Sequence, residues 1–254
     1  MTTEQGAGGR AQRAESLGLH GLALHLDEVR EADWPEWLLD VEEAERSRRS
    51  LERRVRNAKL GRFKPMADYS WDWPRAIDRR LVESLFKLRF IDEQANVILV
   101  GPNGVGKTML AKNLAHKVLL AGHTVHFTTA SAMLNTLAAE DSASGLQRRL
   151  ARLCRPAVLC IDEVGYLSYG NRHADLLFEV VTRRYALGRP IVVTTNKPFG
   201  EWNQVFASAA CVVTLVDRLV HRSEIVKVEG ESYRLKEAKE TAARKALLRT
   251  KVDE

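Results

Sequence analysis

Cysteine is scarce in this sequence, at three residues in 254, and the spacing of the three matches no zinc-ligand pattern. Cys154, Cys160 and Cys211 are well separated, and Cys160 stands inside an apolar run. The histidines are scattered and form no pair on a predicted helix face. We therefore expect packed, reduced thiols and no metal centre built from cysteine or histidine.

Long hydrophobic runs are also missing from the sequence. No apolar stretch reaches the roughly 20 residues that a membrane-spanning helix needs. The first residues, MTTEQGAGGRAQR, lack the apolar segment of a secretion signal. We expect a cytoplasmic protein with no membrane partner. Lysine and arginine outnumber the acidic residues by 39 to 33, a surplus that suits a nucleic-acid partner.

Hydrophobic periodicity divides the chain into four segments. Residues 1–12 are small and polar, which predicts disorder. Residues 13–66 have apolar positions at helical spacing and predict a small all-helical N-terminal domain. Residues 67–235 predict an α/β domain whose first helix begins near Pro74, and residues 236–254 predict a charged C-terminal helix or tail.

The α/β domain contains five short apolar or β-branched runs, and helical patterns separate most of them. The runs are NVILV at 96–100, TVHFTTA at 124–130, AVLCID at 157–162, PIVVTT at 190–195 and EIVKVEG at 224–230. Alternating strands and helices form parallel βαβ units, and continuously apolar strands are buried on both faces. The pattern therefore predicts a parallel five-stranded sheet flanked by helices.

A glycine-rich motif, GPNGVGKT, follows the first of these strands and precedes a helical pattern. It fits the phosphate-binding pattern G-x-x-x-x-G-K-[ST] in the required strand–loop–helix setting. Glycines let backbone N–H groups turn toward phosphate, and the helix N-terminus adds further donors. We expect Lys107 to reach the β- and γ-phosphates of ATP, and the Thr108 hydroxyl to hold Mg²⁺. The predicted nucleotide-binding residues are Gly101, Pro102, Asn103, Gly104, Val105, Gly106, Lys107, Thr108 and Met109.

Two further strand ends carry polar side chains that suit hydrolysis. The run VLCIDE ends in Asp162, which we expect to bind Mg²⁺, and Glu163, which we expect to orient and deprotonate a water molecule. Asn196 follows the strand PIVVTT, where an amide can hold that water or contact the γ-phosphate. Three strand ends that converge on one phosphate predict an ATPase. They argue against a small-molecule kinase, because there the substrate is itself the nucleophile.

These motifs together resemble the AAA+ ATPases, and more narrowly the IstB-like helpers of insertion-sequence transposition and the related DnaC-type helicase loaders. The resemblance spans about residues 17–235. It is carried by GPNGVGKT and IDEVGYL and, more specifically, by FEVVTRRY, TTNKPFGEWNQVF, DRLVHR and GESYRL in this order. TTN departs from the more usual TSN. A full helical lid is not evident after residue 229, so we assign no lid arginine.

The resemblance implies an AAA+ P-loop NTPase in which the three strand-end motifs are the Walker A, Walker B and sensor elements. Arg218, in DRL, stands where such proteins place an arginine finger. That position serves the nucleotide of a neighbouring subunit. The implied assembly is therefore a homo-oligomer with ATP at the subunit interfaces, and Mg²⁺ accompanies the ATP.

Two basic runs are candidate nucleic-acid contacts. They comprise Arg48, Arg49, Arg53, Arg54, Arg56 and Lys59 in the first run, and Arg148, Arg149 and Arg152 in the second. The alternatives are a solvated helix face for the first run and packing on a neighbouring subunit for the second. In the first run only Glu52 offsets the positive charge. Phosphate contacts by such residues give DNA binding that depends on salt and little on sequence.

The expected function is that of an ATP-dependent regulator of DNA transposition. It would assemble on double-stranded DNA, engage a transposase and hydrolyse ATP. Two alternatives stay open. A helicase loader of the same architecture would bind a replicative helicase, and a nucleotide-switched adaptor would bind its partners with little turnover.

Overall fold

The computed structural model of the chain describes residues 4–29, 31–166, 171–206 and 209–250. Two compact units divide the chain, residues 1–53 and residues 54–254. The division falls inside a long helix, α3 (Trp34–Ala58), whereas the sequence predicts a domain boundary at residue 66.

Helices form the first unit, in agreement with the predicted helical N-terminal domain. They are α1 (Glu4–Ser16), α2 (His20–Leu24), a 3-10 turn at Leu26–Val29 and the greater part of α3. Arg13 donates hydrogen bonds to Glu36, Asp40 and Glu43 of α3. These contacts tie α1 to α3. Disorder was the expectation for residues 1–12, but the structure differs, because the described residues 4–12 lie in α1.

Irregular chain and short elements lead into the second unit. They are a 3-10 turn at Met66–Asp68, β1 (Ala76–Ile77), α4 (Arg79–Leu85) and α5 (Arg89–Asp92). The helix predicted to begin near Pro74 instead begins at Arg79. Residues 76–77 pair with a strand, and the Asp78 side chain then caps α4 by accepting a hydrogen bond from Leu81 N at 2.9 Å.

A six-stranded sheet forms the centre of the second unit. Its longer strands are β2 (Asn96–Val100), β3 (Val125–Thr129), β4 (Val158–Val164), β5 (Ile191–Thr195) and β6 (Ser223–Glu229). The strand order is β1-β6-β2-β5-β4-β3. The five predicted strands are all present and mutually parallel, so the predicted fold is confirmed. The short β1 adds a sixth strand, antiparallel to β6.

The remaining helices described in the second unit are α6 (Lys107–Leu120), α7 (Ala130–Ala138), α8 (Ala143–Cys154), α9 (Asn171–Ala186), α10 (Trp202–Val205), α11 (Ala209–Val220) and α12 (Tyr233–Thr250). Of these, α6 and α7 pack directly against the strands. Every residue of β5 is buried, as expected of a central parallel strand. Cys154 and Cys160 are buried as expected, and burial raises the pKa of Cys160 to about 12.

None of the helices in the described part of the chain is both long and apolar enough to cross a membrane. Within the same ranges, no cluster of three or more histidine, cysteine, aspartate or glutamate side chains is placed to hold a metal ion.

Candidate functional site

A cleft of about 370 Å³ lies at the carboxyl edge of the parallel sheet. Ligands of open α/β sheets bind at this edge, because the loops that follow the strands meet there. The cleft is lined by residues 103–109 after β2, by the ends of β4 and β5, by the segment 62–74 and by the start of α12. The predicted glycine-rich loop and the two predicted strand ends are therefore brought together.

Two glycines of the loop stand at positions where a side chain would be strained. Gly104 and Gly106 have φ values of 80° and 100°, in the region that side chains disfavour. A Cβ on Gly104 would stand 2.1 Å from Ser232 Oγ, and one on Gly106 would stand 2.9 Å from Tyr69 Cε2. Immediately beyond the loop α6 begins at Lys107, so its unpaired N–H groups face the cleft.

The Lys107 ammonium group lies inside this loop. Its Nζ donates hydrogen bonds to the carbonyl oxygens of Gly101 at 2.6 Å and Pro102 at 2.7 Å. Burial lowers the pKa of Lys107 to about 8, and the charge of Arg234 adds to the lowering, whereas Asp162 opposes it. A bound phosphate would supply a counter-charge and raise this pKa again, so the site favours an anionic ligand.

Asp162 and Thr108 meet beside Lys107. The Thr108 hydroxyl donates a hydrogen bond to Asp162 Oδ1 at 3.0 Å, although the two residues are 54 positions apart. Asp162 is almost fully buried, and the Thr194 hydroxyl donates to the same carboxylate oxygen. A hydroxyl and a carboxylate are oxygen ligands that fit Mg²⁺, which keeps several waters and takes its remaining ligands from substrate phosphates.

Glu163 has an unusual backbone. Its φ is 62°, in the left-handed region, and the pairing of β4 with β5 shifts register between Ile161 and Val164. The Thr194 hydroxyl accepts a hydrogen bond from Glu163 N at 2.9 Å and stabilises this conformation. The exposed Glu163 side chain lines the cleft. A non-glycine residue held in this region costs about 1 kcal/mol or more, and such residues cluster at functional sites.

Asn196 presents an unsatisfied acceptor to the cleft. Among the described residues, its buried Oδ1 has no hydrogen-bond partner, and the residue lines the cleft. A buried acceptor usually finds a donor, so this oxygen is suited to hold a water molecule or a group of the ligand.

The sequence did not predict several residues that line the cleft, among them Tyr69, Thr194 and Arg234. Arg234 reaches the cleft because Tyr233 N donates a hydrogen bond to Gly104 O at 3.0 Å and seats the start of α12 against the loop. The motif GESYRL contains Arg234, so it is the sequence feature from which this residue could have been found. A domain boundary after residue 235 would cut α12.

Arg218 lies away from this cleft. It is on α11, where its guanidinium stacks over the Phe178 ring at 4.9 Å and donates a hydrogen bond to Thr182 Oγ1. The Arg218 carbonyl lies 3.5 Å from Asn96 Nδ2, at the amino end of β2. The glycine-rich loop follows the carboxyl end of that strand, so one chain does not bring Arg218 to its own cleft.

The basic runs lie on the helices α3 and α8. Arg48 donates hydrogen bonds to Glu45 and Glu52, and Arg49 pairs with Glu45 at 3.5 Å. Acidic side chains therefore neutralise more of the positive charge of the first run than the sequence suggested. The other positions include the exposed residues Arg53, Arg56, Lys59, Arg148 and Arg152, and also Arg149, whose Nε donates to Glu140 at 2.6 Å.

Comparison with known proteins gives consistent matches. The family model described as IstB-like ATP binding protein matches residues 17–241. A Geobacillus stearothermophilus protein described as an ATP-binding protein of insertion sequence IS5376 is 36% identical over 200 residues, covering 79% of each chain. A Pseudomonas aeruginosa protein described likewise for IS21 is 38% identical over 192 residues, covering 76% of this chain and 72% of that protein.

Among solved structures, the crystal structure of DnaI matches with a TM-score of 0.54 at 17% sequence identity. The match covers 68% of this chain and 92% of the DnaI chain. At this identity the likeness shows a shared fold.

Proposed function

The chain belongs to the family of IstB-like ATP-binding proteins, and from that membership we propose that it hydrolyses ATP as a DNA-binding helper of transposition. The proposal that the chain hydrolyses ATP rests above all on one contact. The Thr108 hydroxyl oxygen lies 3.0 Å from Asp162 Oδ1, beside Lys107. A general acid–base residue and a water-holding amide border the same cleft. These are the parts that phosphoryl transfer to water requires.

The proposed mechanism assigns each of these residues one task. Lys107 binds the β- and γ-phosphates of ATP, replacing its present hydrogen bonds to loop carbonyls. Thr108 and Asp162 would hold Mg²⁺, which supplies charge neutralisation at the phosphates. Asn196 Oδ1 accepts a hydrogen bond from the attacking water, and Glu163 takes the proton of that water as it attacks the γ-phosphate.

Two arginines complete the proposed site from different directions. Arg234 lies in the same chain and lines the same cleft as Lys107, and we assign it to contact with the phosphates. Arg218 would act in the site of a neighbouring subunit, since its own cleft is at the other edge of the sheet. The proposed active form is therefore a homo-oligomer with ATP at its interfaces.

Thr194 is a positioning residue in this scheme, and its hydroxyl gives a first prediction. Thr194→Val removes the donor to Asp162 and the acceptor for Glu163 N without changing side-chain size. Lost hydrogen bonds to charged groups are worth about 1.5–3 kcal/mol, so kcat should fall roughly 10- to 100-fold while KM for ATP changes little. Steady-state hydrolysis assays measure both constants.

Thr194→Ser is the matched control for this prediction, because it keeps the hydroxyl. It should recover most of kcat. Equal losses of kcat in the serine and valine variants would contradict a role for the hydroxyl and point to packing of the methyl group instead.

DNA binding is proposed for the exposed arginines of α3. Arg49 and Arg53 are four residues apart and therefore lie on one face of the helix. Arginine contacts to phosphate release counterions, which makes affinity fall steeply with salt. The insertion-sequence relatives support a role on DNA beside a transposase.

A salt series with purified protein and duplex DNA tests this proposal. We expect binding at low salt, and in the Arg49→Ala/Arg53→Ala variant a log–log salt slope smaller by about two, as for two lost phosphate contacts. A variant with Arg75→Ala and Lys117→Ala loses the same charge at exposed positions of the second unit and should retain the slope. Lack of DNA binding by the unmodified protein at low salt, with and without ATP, would refute the proposal.

A further inference from the structure

The Tyr69 hydroxyl group is buried at the cleft without a partner. Tyr69 is 8% exposed and lines the cleft beside the glycine-rich loop. Within the ranges that the structure describes, its Oη atom has no hydrogen-bond partner. Nearly all buried polar side-chain atoms in native proteins are paired, so an unpaired one at the wall of a cleft points to a group that arrives with the ligand.

This hydroxyl lies against the glycine-rich loop. A Cβ on Gly106 would stand 2.9 Å from Tyr69 Cε2 and 3.7 Å from Tyr69 Oη. The edge of the ring that carries the hydroxyl therefore faces this glycine. In loops of this pattern the backbone N–H groups surround the α- and β-phosphates of the nucleotide. Tyr69 Oη is accordingly next to the place where these two phosphates bind.

Two hydrogen bonds and a ring contact hold Tyr69 at this position. Asn113 Nδ2 of α6 donates to Lys64 O at 2.9 Å, which fastens the segment before Tyr69 to the helix that follows the loop. Tyr69 N donates to Met66 O at 3.0 Å at the end of the 3-10 turn. The Tyr69 and Trp71 rings meet edge to face with their centroids 4.9 Å apart. A hydroxyl on a ring held in this way is preorganised for a ligand.

The Tyr69 hydroxyl is a hydrogen-bond donor at neutral pH. Burial raises the pKa of Tyr69 to about 12, so the phenol keeps its proton. An ionised phosphate oxygen can only accept, and a hydrogen bond from a neutral donor to a charged acceptor is stronger than one between two neutral groups. A phosphate oxygen is therefore a better partner for this hydroxyl than a ribose hydroxyl.

We propose that Tyr69 Oη donates a hydrogen bond to an oxygen of the α- or β-phosphate of the bound nucleotide. The inference rests on the proposed ATP site. It gives the segment 62–74 a direct polar contact with the ligand, in addition to those of the loop and of Lys107. Because the γ-phosphate takes no part in this contact, ADP and ATP depend on Tyr69 equally, and the residue serves affinity and not the hydrolytic step.

Tyr69→Phe tests this contact, because it removes one oxygen atom and keeps the ring. We expect it to weaken the binding of ADP and of a non-hydrolysable ATP analogue by roughly 10- to 100-fold, the effect of losing a hydrogen bond to a charged group. KM for ATP should rise while kcat stays within about twofold, because the contact is the same in the ground state and the transition state. Titration calorimetry and steady-state hydrolysis assays measure these constants.

Thermal unfolding gives a second readout, with opposite signs for the empty and the loaded protein. Empty Tyr69→Phe protein should unfold at the same temperature as the unmodified protein or at a higher one, because no buried hydroxyl is left unpaired. With ADP in excess the order should reverse, since a ligand stabilises the folded state more when it binds more tightly. A lower unfolding temperature of the empty variant would show that the hydroxyl is already paired, and would overturn the inference.

Tyr185→Phe is the matched control for loss of a tyrosine hydroxyl. Tyr185 does not line the cleft, and its Oη lies 3.2 Å from His221 Nδ1. Its replacement should leave the affinity for ADP within about twofold. A loss as large as that in Tyr69→Phe would overturn the inference, because it would show that the effect is not specific to the cleft hydroxyl.

The 2′-deoxy and 3′-deoxy forms of ADP locate the contact on the ligand. The loss caused by Tyr69→Phe should persist with both, and a loss that disappears with either would assign the hydroxyl to the ribose and overturn the inference. A loss confined to the ATP analogue would place the contact at the γ-phosphate and contradict it as well. Equal affinities of Tyr69→Phe and unmodified protein for ADP would overturn the inference alone, whereas unmodified protein that binds ADP without hydrolysing ATP would refute only the proposed hydrolysis.

Discussion

Glu163→Gln should bind ATP normally and lose about 10²- to 10⁴-fold in hydrolysis, the range for removal of a general base. Glutamine has the same size but cannot accept the proton of the attacking water. The backbone conformation should persist, because Thr194 Oγ1 accepts from the Glu163 N–H and not from its side chain. Equilibrium binding of a fluorescent ATP analogue and single-turnover hydrolysis, with and without DNA, measure the two effects separately.

Glu237 provides the matched control for this experiment. It is the other glutamate that lines the cleft, and its carboxylate pairs with Lys64 Nζ at 2.6 Å. Glu237→Gln should therefore retain turnover within a few-fold. If Glu237→Gln were inactive and Glu163→Gln active, the general base would be misassigned. Negligible turnover in the unmodified protein with DNA present would favour a nucleotide-switched adaptor over an ATPase.

Arg218→Ala should keep nucleotide binding but lose ATP-dependent assembly, and its turnover should fall about 10³-fold or more, as for arginine fingers in general. The reason is geometric, because Arg218 lies at the opposite edge of the sheet from its own cleft and can meet a nucleotide only in another copy. Sedimentation with ATP analogue and steady-state hydrolysis measure the two losses.

Loss of the Phe178 and Thr182 contacts could also lower the stability of an Arg218→Ala protein. Thr182→Val removes the hydrogen-bond partner within the chain and leaves the guanidinium, so it should assemble and turn over normally. Arg218→Lys keeps the charge but not the forked donor geometry, and it should recover only part of the activity. If an Arg218→Ala protein assembles and hydrolyses ATP normally, Arg218 has no role in the ATP site and is an ordinary surface charge.

Local patterns in the sequence were sufficient for the fold and for the centre of the cleft. The five parallel strands could be predicted because each is a continuous apolar run. Lys107 and Thr108 could be located because the loop motif, the preceding strand and the following helix are contiguous. The two-residue β1 has no such pattern, since it exists only through pairing with β6.

The sequence by itself therefore determined the sheet, the glycine-rich loop and the polar residues at the strand ends, because each depends on neighbours within a few positions. The contacts between residues that are distant in the sequence were decided only by the tertiary structure. Thr194 meets both Asp162 and Glu163 because β4 and β5 are adjacent. Arg234 enters the cleft because α12 begins against the loop, and Asn96 holds the Arg218 segment at the far edge. Such contacts join residues tens of positions apart, and strand order and helix placement bring them together, which no local pattern encodes.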